Sequence, residues 1–203
     1  MYVVGLTGGI ACGKTTIASM LRSLGTPMAD ADAFSHTATA PGGPALHRIR
    51  DRFGNAVFHA DQTLDRAALA RTVFSNHDAR RDLENIVHPL VEKLLLQWLD
   101  EQRHSSVVVL DIPLLYEAGM EYLTHEVWVV YLPENEQLCR LMARDGLTLE
   151  SAHTRVASQM PLREKCRRAD VIIPMTDTRA GISERVTVQW KRVQALSRLL
   201  SEE

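Results

Sequence analysis

A glycine-rich segment near the start of the chain has the composition of a phosphate-binding loop. Residues 8–15 read Gly-Gly-Ile-Ala-Cys-Gly-Lys-Thr and match the spacing G-x-x-x-x-G-K-[ST]. Glycines let the backbone curl so that successive N–H groups point inward, and the positive end of a following helix strengthens their attraction for phosphate. The pattern therefore predicts a nucleotide site formed by Gly8, Gly9, Ile10, Ala11, Cys12, Gly13, Lys14, Thr15 and Thr16.

Three side chains of this loop have distinct expected roles. We expect Lys14 to reach the β- and γ-phosphates, Thr15 to ligate Mg²⁺ through its hydroxyl, and Thr16 to border the α-phosphate. The alternative is a glycine-rich turn that happens to precede a helix. The Lys-Thr pair, with a predicted strand before the loop and a predicted helix after it, favours the phosphate site.

Two carboxylates, Asp30 and Asp32, follow the second predicted strand. In an extended segment, side chains two residues apart project to the same side. Such a strand end faces the ligand crevice of a doubly wound sheet, where a carboxylate can orient a hydroxyl group, accept its proton or hold Mg²⁺ through water. The alternative is a surface turn or a helix cap, since Asp often caps helices. The pattern favours Asp32 as the functional residue and leaves Asp30 open.

A second cluster of charge lies in a helical stretch dense in arginine. Arg140 and Arg144 are one helical turn apart and can share one face. Guanidinium groups on a mobile helical flap could neutralise the charge that spreads over a phosphoryl group during transfer while excluding water. An ordinary solvated helix would also contain arginines, which is the alternative for each residue. The remaining cations of the cluster are Arg155, Arg163, Lys165, Arg167 and Arg168.

Continuous apolar runs alternate with helical patterns along the chain. Such runs are typical of parallel strands buried on both faces, because half-exposed strands would alternate apolar and polar residues. The sequence therefore predicts an α/β fold with a five-stranded parallel sheet wrapped by helices. The predicted strands are 2–6, 26–29, 107–110, 126–132 and 170–174.

The segment between the second and third strands is longer than an ordinary crossover and is mostly helical in pattern. Helices are predicted at 44–53 and 65–74, and an apolar stripe follows from Leu83 to Trp98. Pro89 is expected to divide or kink that stripe, because proline removes an interior hydrogen bond. We expect one domain: a core at about 1–32, 105–136 and 169–203, a helical acceptor-binding insertion at about 33–104, and a helical lid at about 137–168.

Composition excludes several classes of partner and location. Lys and Arg number 23 against 25 Asp and Glu, so no overall positive field draws the chain to nucleic acid. No apolar run is long enough to cross a bilayer, and no signal peptide is evident. Three widely spaced cysteines argue against a disulfide framework and suit a reducing compartment. We expect a cytoplasmic protein without nucleic-acid or membrane partners, and a monomer is favoured.

Taken together, further motifs resemble one family, the dephospho-CoA kinases. The resemblance rests on the phosphate loop, Asp30-Ala31-Asp32, His88-Pro89, the segment Pro113-Leu114-Leu115-Tyr116-Glu117, Arg140 with Arg144, Gln159, and Ala169-Asp170-Val171-Ile172. It covers the chain from Gly5 to about Ile173. The phosphate loop is shared by many NTPases, whereas the other motifs are far more specific.

The resemblance implies a P-loop kinase that transfers the γ-phosphate of ATP, with Mg²⁺, to the 3′-hydroxyl of dephospho-CoA, as the last step of coenzyme A synthesis. It implies that Asp32 is the base or orienter of that hydroxyl, that Lys14 and Arg140 are catalytic, and that Arg144 binds nucleotide. The acceptor site implied by the resemblance comprises Asp32, Arg66, His88, Leu114, Leu115, Glu117 and Gln159.

Two other classes of function remain open at this point. A kinase for another small hydroxyl acceptor, such as a nucleoside or nucleotide, would share the loop and the lid. A nucleotide-dependent switch is the non-enzymatic alternative, although the guanine-reading sequence N-K-x-D of GTPase switches does not occur in the chain.

The chain departs from the family pattern at two places. Ala11-Cys12 stands where the family usually has Gly-Ser, and we expect Ala11 to require a negative φ that could perturb the loop.

A thiol beside Lys14 at a helix N-terminus suggests that Cys12 has a lowered pKa and raised reactivity, with MgATP protecting it. The alternative is a small residue tolerated in the loop. Pro174-Met175 replaces the polar residues that the family often has near the adenine, which leaves nucleotide preference open.

Overall fold

The computed structural model describes residues 1–74 and 76–200. Within them, five strands form one parallel sheet in the order β2-β3-β1-β4-β5. The strands are β1 Tyr2–Gly8, β2 Met28–Asp30, β3 Val107–Asp111, β4 Glu126–Tyr131 and β5 Val171–Pro174. The predicted five-stranded α/β fold is confirmed. Ser75 of the predicted insertion and residues 201–203 of the predicted core lie outside the described residues.

The α-helices of the described residues are α1 Lys14–Ser23, α2 Ala31–Ala38, α3 Leu46–Phe53, α4 Arg66–Phe74, α5 His77–Glu101, α6 Glu134–Asp145, α7 Leu149–Ala157, α8 Leu162–Arg168 and α9 Arg179–Leu199. Short 3-10 turns occur at Asn55–Val57 and Glu121–Leu123. In the part of the chain that the structure describes, each helix is too short or too polar to cross a membrane.

The described chain falls into two compact units. The sheet unit comprises Met1–Asp30 and the described part of the chain from Glu101 onward, and it contains all five strands. The helical unit, Ala31–Asp100, comprises α2 to α4 and nearly all of α5. The helical unit corresponds in sequence to the predicted acceptor-binding insertion.

The core of the sheet unit forms because apolar side chains cover both faces of the sheet. Every residue of β1 and β3 is buried, as the continuous apolar runs predicted. On one face, α1 and α9 contribute Ile17, Leu21, Val186 and Trp190 to a single apolar cluster with the strands. This packing holds the carboxyl ends of the strands, and the loops that follow them, at one edge of the sheet.

A buried carboxylate joins this core to α9. Glu126, at the start of β4, is 5% exposed and accepts hydrogen bonds from the Tyr2 hydroxyl and the Trp128 indole N–H. Arg192 of α9 donates to both of its oxygens, at 2.6 and 2.9 Å. Without Glu126, the side chains of Tyr2, Trp128 and Arg192 would lose this hydrogen-bond acceptor. Glu126 is therefore a structural residue.

Helix α5 runs without interruption through Pro89, so of the two outcomes expected for this proline, division and a kink, division is wrong. Proline removes one backbone hydrogen bond, and burial on both sides of it offsets that loss. Ile86 and Val87 before Pro89, and Val91 and Leu95 after it, are all buried. Apolar packing therefore overrides the local preference of the proline.

We predict that Glu126→Ala lowers the free energy of unfolding by about 2–4 kcal/mol, because it leaves the Arg192 cation and two polar groups without their acceptor. Urea unfolding followed by circular dichroism measures this. The matched control is Glu184→Ala, an exposed position on α9, which should change stability by less than about 0.5 kcal/mol. Equal stability of the two variants would show that the buried cluster contributes nothing.

Candidate nucleotide and catalytic site

The phosphate loop connects the carboxyl end of β1 at Gly8 to the first residue of α1, Lys14. Gly13 precedes the helix with φ 94° and provides no capping side chain. The backbone angle favours glycine here, whereas the one close neighbour of an added Cβ atom, Cε of Met175 at 2.8 Å, is the end of a flexible side chain that can move. A helix N-terminus without a side-chain cap attracts anions, which fits the phosphate site that the sequence predicts.

Ala11 has φ 60°, in the left-handed region, so the expectation that it keeps a negative φ is wrong. This conformation costs an alanine roughly 1–2 kcal/mol. The loop therefore adopts a curled shape at Ala11 although its residue type disfavours it. Contacts from outside the loop must hold that shape.

Two glutamine side chains supply such contacts. Gln137 Nε2 of α6 donates to the Ile10 carbonyl at 2.7 Å, and the Ile10 N–H donates to Gln159 Oε1 at 2.9 Å. Gln137 is 2% exposed, so its amide is committed to this contact. The structure thus places Gln159, which the family resemblance assigned to the acceptor, on the phosphate loop. Sequence reasoning missed Gln137, because nothing in its local pattern distinguishes it from a solvated helix residue.

Lys14 forms an ion pair with Asp111, the last residue of β3. The Asp111 side chain is 5% exposed and that of Lys14 is 17% exposed. Burial raises the pKa of Asp111, and the Lys14 ammonium opposes that shift. Asp30 lies beside Asp111 in the register of β2 and β3 and also raises its pKa. The loop lysine and two carboxylates therefore meet at one edge of the sheet.

This chemistry fits a magnesium ion bound with a nucleotide. Mg²⁺ keeps several waters and is bound by one or two protein oxygens together with phosphates, so it does not need an all-protein cage. The described residues contain no group of three or more His, Cys, Asp or Glu placed to hold a metal. The hydroxyl of Thr15, at the start of α1, and the carboxylate of Asp111 are the oxygens suited to this task.

The structure corrects the prediction that Asp30 and Asp32 project together from an extended segment. Strand β2 ends at Asp30 and α2 begins at Ala31, so Asp32 belongs to the first turn of a helix. An acidic residue is favourable there because it faces the positive end of the helix dipole. The two carboxylates therefore belong to different elements, and only Asp30 is registered with Asp111.

A cavity of about 640 Å³ opens beside α1 in the sheet unit. Thr15, Thr16, Arg140, Met175 and Asp177 line it, and Arg140 Nη2 lies 3.5 Å from the Met175 carbonyl that accepts from it. Because the cavity is continuous with the start of α1, it can accommodate the part of a nucleotide beyond its phosphates.

Arg144 is placed differently from Arg140. Its guanidinium donates to both oxygens of Asp145, at 2.7 and 3.0 Å, and Arg155 donates to the same carboxylate at 2.8 Å. Arg144 and Asp145 lie at the C-terminal end of α6, and Arg155 belongs to α7. The structure brings Arg140, and not Arg144, to the described lining of the cavity.

The segment after β3 has both buried and partly exposed residues. Leu115 is fully buried and packs closely on Gly5, where an added Cβ atom would lie 2.8 Å from Leu115 Cδ1, so it does not offer a surface to a ligand. Leu114 is half-buried. Glu117 Oε1 accepts from the Met160 N–H at 3.0 Å and pairs with Lys165 at 2.8 Å.

Two more predicted acceptor residues lie in the helical unit. Arg66, at the start of α4, donates through Nη2 to the Thr39 hydroxyl at 2.8 Å and so holds the chain just after α2. His88 is half-buried on α5, and burial lowers its pKa while the Glu84 carboxylate one turn earlier opposes that change. A neutral imidazole at near-neutral pH can either donate or accept a hydrogen bond.

Cys12 is 1% exposed and belongs to the apolar core of the sheet unit. Burial raises the pKa of its thiol to about 11, although backbone N–H groups oppose the shift. The prediction of a lowered pKa is therefore wrong, because the loss of hydration outweighs the helix N-terminus and the nearby cations. The structure supports the alternative, a small side chain packed beneath the loop.

The sheet order and the loop between β1 and α1 are those of a P-loop nucleotide-binding protein. A family model for dephospho-CoA kinase matches residues 2–180, and the chain belongs to that family. Dephospho-CoA kinase of Carboxydothermus hydrogenoformans is 42% identical over 194 residues, which cover 93% of this chain and 94% of that protein. The enzyme of Anaeromyxobacter dehalogenans is 47% identical over 176 residues, or 85% of this chain and 83% of that one. The solved structure of dephospho-CoA kinase from Campylobacter jejuni has a TM-score of 0.70 and 31% identity, covering 97% of each chain.

We predict that iodoacetamide at mildly alkaline pH modifies the exposed Cys139 at least about tenfold faster than the buried Cys12. Mass spectrometry of the digested protein measures the modification of each cysteine over time. MgADP should leave the slow rate at Cys12 unchanged, and denatured protein, in which all three thiols are accessible, is the control. Rapid modification of Cys12 that nucleotide slows would contradict the burial argument.

Proposed function

We propose that this protein phosphorylates the 3′-hydroxyl of dephospho-CoA with ATP, giving coenzyme A and ADP, the final step of coenzyme A synthesis. The observation that carries the proposal is the phosphate loop with its Lys14–Asp111 ion pair, in a chain that matches the dephospho-CoA kinase family over residues 2–180. The loop accounts for the nucleotide, and the family match identifies the acceptor.

In the proposed reaction the 3′-oxygen of the acceptor attacks the γ-phosphorus, the bond from that phosphorus to the β,γ-bridging oxygen breaks, and ADP leaves with that oxygen. The hydroxyl proton passes to a carboxylate, and we assign this role to Asp32. Lys14 stabilises negative charge on the β- and γ-phosphates, and Arg140, which lines the cavity beside α1, neutralises charge on the transferred group.

We further propose that Mg²⁺ binds with ATP and is held by Thr15, with Asp111 acting directly or through water. When bound, the ion neutralises phosphate charge. Asp111 is suited to this task because its carboxylate lies beside the loop and already has a cationic partner in Lys14. If Asp111 bound Mg²⁺ in place of Lys14, the Lys14 ammonium would be free to contact phosphate.

For the acceptor we propose contacts from Arg66, His88 and Leu114. Leu115, Glu117 and Gln159 act on the site indirectly, because the first is buried and the other two bind backbone groups of the protein. Of the predicted lid at 137–168, we propose as mobile only the part between Gln137 and Gln159, which includes Arg144, because both glutamines bind the phosphate loop and α8 is anchored by Lys165. Three free thiols and a net charge of −2 support a cytoplasmic enzyme without nucleic-acid partners, and we propose that it acts as a monomer.

The proposal is tested by measuring ADP release from ATP in the presence of dephospho-CoA, adenosine or a series of nucleoside monophosphates. We expect dephospho-CoA alone to accelerate ADP release, with coenzyme A detected as the product by mass spectrometry. Acceleration by a nucleoside or nucleotide and not by dephospho-CoA would overturn the proposal in favour of another small-molecule kinase. No acceleration by any acceptor would favour a nucleotide-dependent switch.

We predict that Asp32→Asn lowers kcat by about 10²–10⁴-fold while leaving the Kd of ATP within about threefold, because the amide cannot accept the hydroxyl proton. Lys14→Ala should lower both nucleotide affinity and turnover, because it removes a cation from the phosphates. Asp51→Asn, an exposed change on α3, is the matched control. Near-normal turnover of Asp32→Asn would show that Asp32 does not have its assigned role.

A further inference from the structure

A lysine is fully buried beneath the phosphate loop. Lys165 of α8 is 0% exposed, and its Nζ lies 2.8 Å from Glu117 Oε1. The ammonium also donates to the carbonyl of Pro113 at 3.0 Å and, at 3.4 Å, to the carbonyl of Gly8. The sequence placed Lys165 only among the cations of the predicted helical lid.

The need for fold stability does not explain a charge in this place. Taking an ammonium and a carboxylate out of water has a large free-energy cost for each ion, and apolar side chains of similar volume often replace buried ion pairs without loss of stability. What the ion pair provides is a fixed position for the carbonyl groups to which the ammonium donates. The location of these carbonyl groups therefore indicates what the ion pair does in the protein.

Both carbonyl groups belong to segments that form the nucleotide site. Gly8 is the last residue of β1 and the first of the phosphate loop. Pro113 follows β3 by two residues, and β3 ends at Asp111, the partner of Lys14. The Thr7 hydroxyl also donates to the Pro113 carbonyl, at 2.9 Å. Lys165 thus joins the start of the phosphate loop to the segment that carries its carboxylate.

Helix α8 is itself fixed to the segment 113–121. Arg168 pairs with Glu121, and its guanidinium lies 4.2 Å from the centre of the Tyr116 ring. These contacts anchor the helix that holds Lys165, so its ammonium has a defined position relative to both carbonyl groups.

We propose that Lys165 is a positioning residue for phosphate transfer: with Glu117 as its counter-ion, it sets the separation between the phosphate loop and the Asp111 segment. This inference rests on the proposed kinase activity for its catalytic readout. It does not require Lys165 to touch substrate, and it predicts that loss of the ammonium impairs nucleotide binding and turnover even where the fold is retained.

The experiment compares Lys165→Met with the double variant Lys165→Met/Glu117→Gln. The single variant leaves the Glu117 carboxylate buried without its cation, so its melting temperature should fall. In the double variant the side chain at position 117 is a neutral amide whose oxygen can still accept from the Met160 N–H, so thermal stability should recover toward that of the unmodified protein. The carbonyl groups of Gly8 and Pro113 lack the ammonium in both variants.

For each variant we would measure the melting temperature, the Kd of MgADP by titration calorimetry, and kcat with dephospho-CoA at a temperature well below unfolding. We expect the double variant to regain stability but to keep a kcat about 100-fold lower and a Kd of MgADP about tenfold weaker. Lys191→Met, an exposed lysine on α9, is the control for loss of a lysine and should match the unmodified protein.

Recovery of both kcat and MgADP affinity together with stability in the double variant would overturn the inference, because it would make Lys165 a purely structural residue. MgADP binding does not involve the acceptor, so any contact of Glu117 with dephospho-CoA does not affect that readout. If the unmodified protein binds MgADP but does not phosphorylate dephospho-CoA, the proposed function fails. The affinity of the double variant for MgADP then decides the positioning role by itself.

Discussion

The backbone amide groups of the phosphate loop can bind a phosphate chain only while the loop keeps its curled shape, and this shape needs support. In this protein the need is acute, because Ala11 occupies a left-handed conformation that disfavours its residue type. Gln137 and Gln159 bind the two polar groups of Ile10, the preceding residue. Side chains from α6 and from the segment between α7 and α8 thus maintain the loop conformation.

The contacts of Gln137 and Gln159 connect the arginine-rich segment to the phosphate loop through neutral side chains and not through its arginines. Its cations Arg144 and Arg155 are bound to Asp145, while the neutral Gln137 and Gln159 contact the loop directly. A neutral amide can bind a peptide group without changing the charge that the loop presents to phosphate. In the proposed site, the attraction for the nucleotide is therefore left to the loop amides, Lys14 and Arg140.

The features that could be predicted from the sequence are those with a local pattern of residue types. Continuous apolar runs predicted all five strands, and the spacing of Gly8, Gly13 and Lys14 predicted the loop between β1 and α1. The end of β2 was misjudged because the two-residue spacing of Asp30 and Asp32 fits a strand as well as a helix start. Lys165 was missed because its neighbours are charged. Its one signal was its place three residues after Leu162, which puts both on the same side of α8. The burial of Lys165 depends on contacts with segments distant in sequence, and such contacts leave no local sequence pattern.

Ala11 and Cys12 both depart from the family pattern in the loop, and the structure constrains these two positions in different ways. The side chain at position 12 points into the core, where the Cys12 sulfur would lie 3.0 Å from a Cβ atom at Gly9, so this position selects for size and low polarity. The constraint at position 11 is on the backbone, because its φ is positive and its side chain is only half-buried. Cys12 is therefore compatible with the loop without compensation, since a thiol is small and tolerates burial. Ala11 is compatible only because α6 and the segment before α8 stabilise a conformation that glycine would adopt freely.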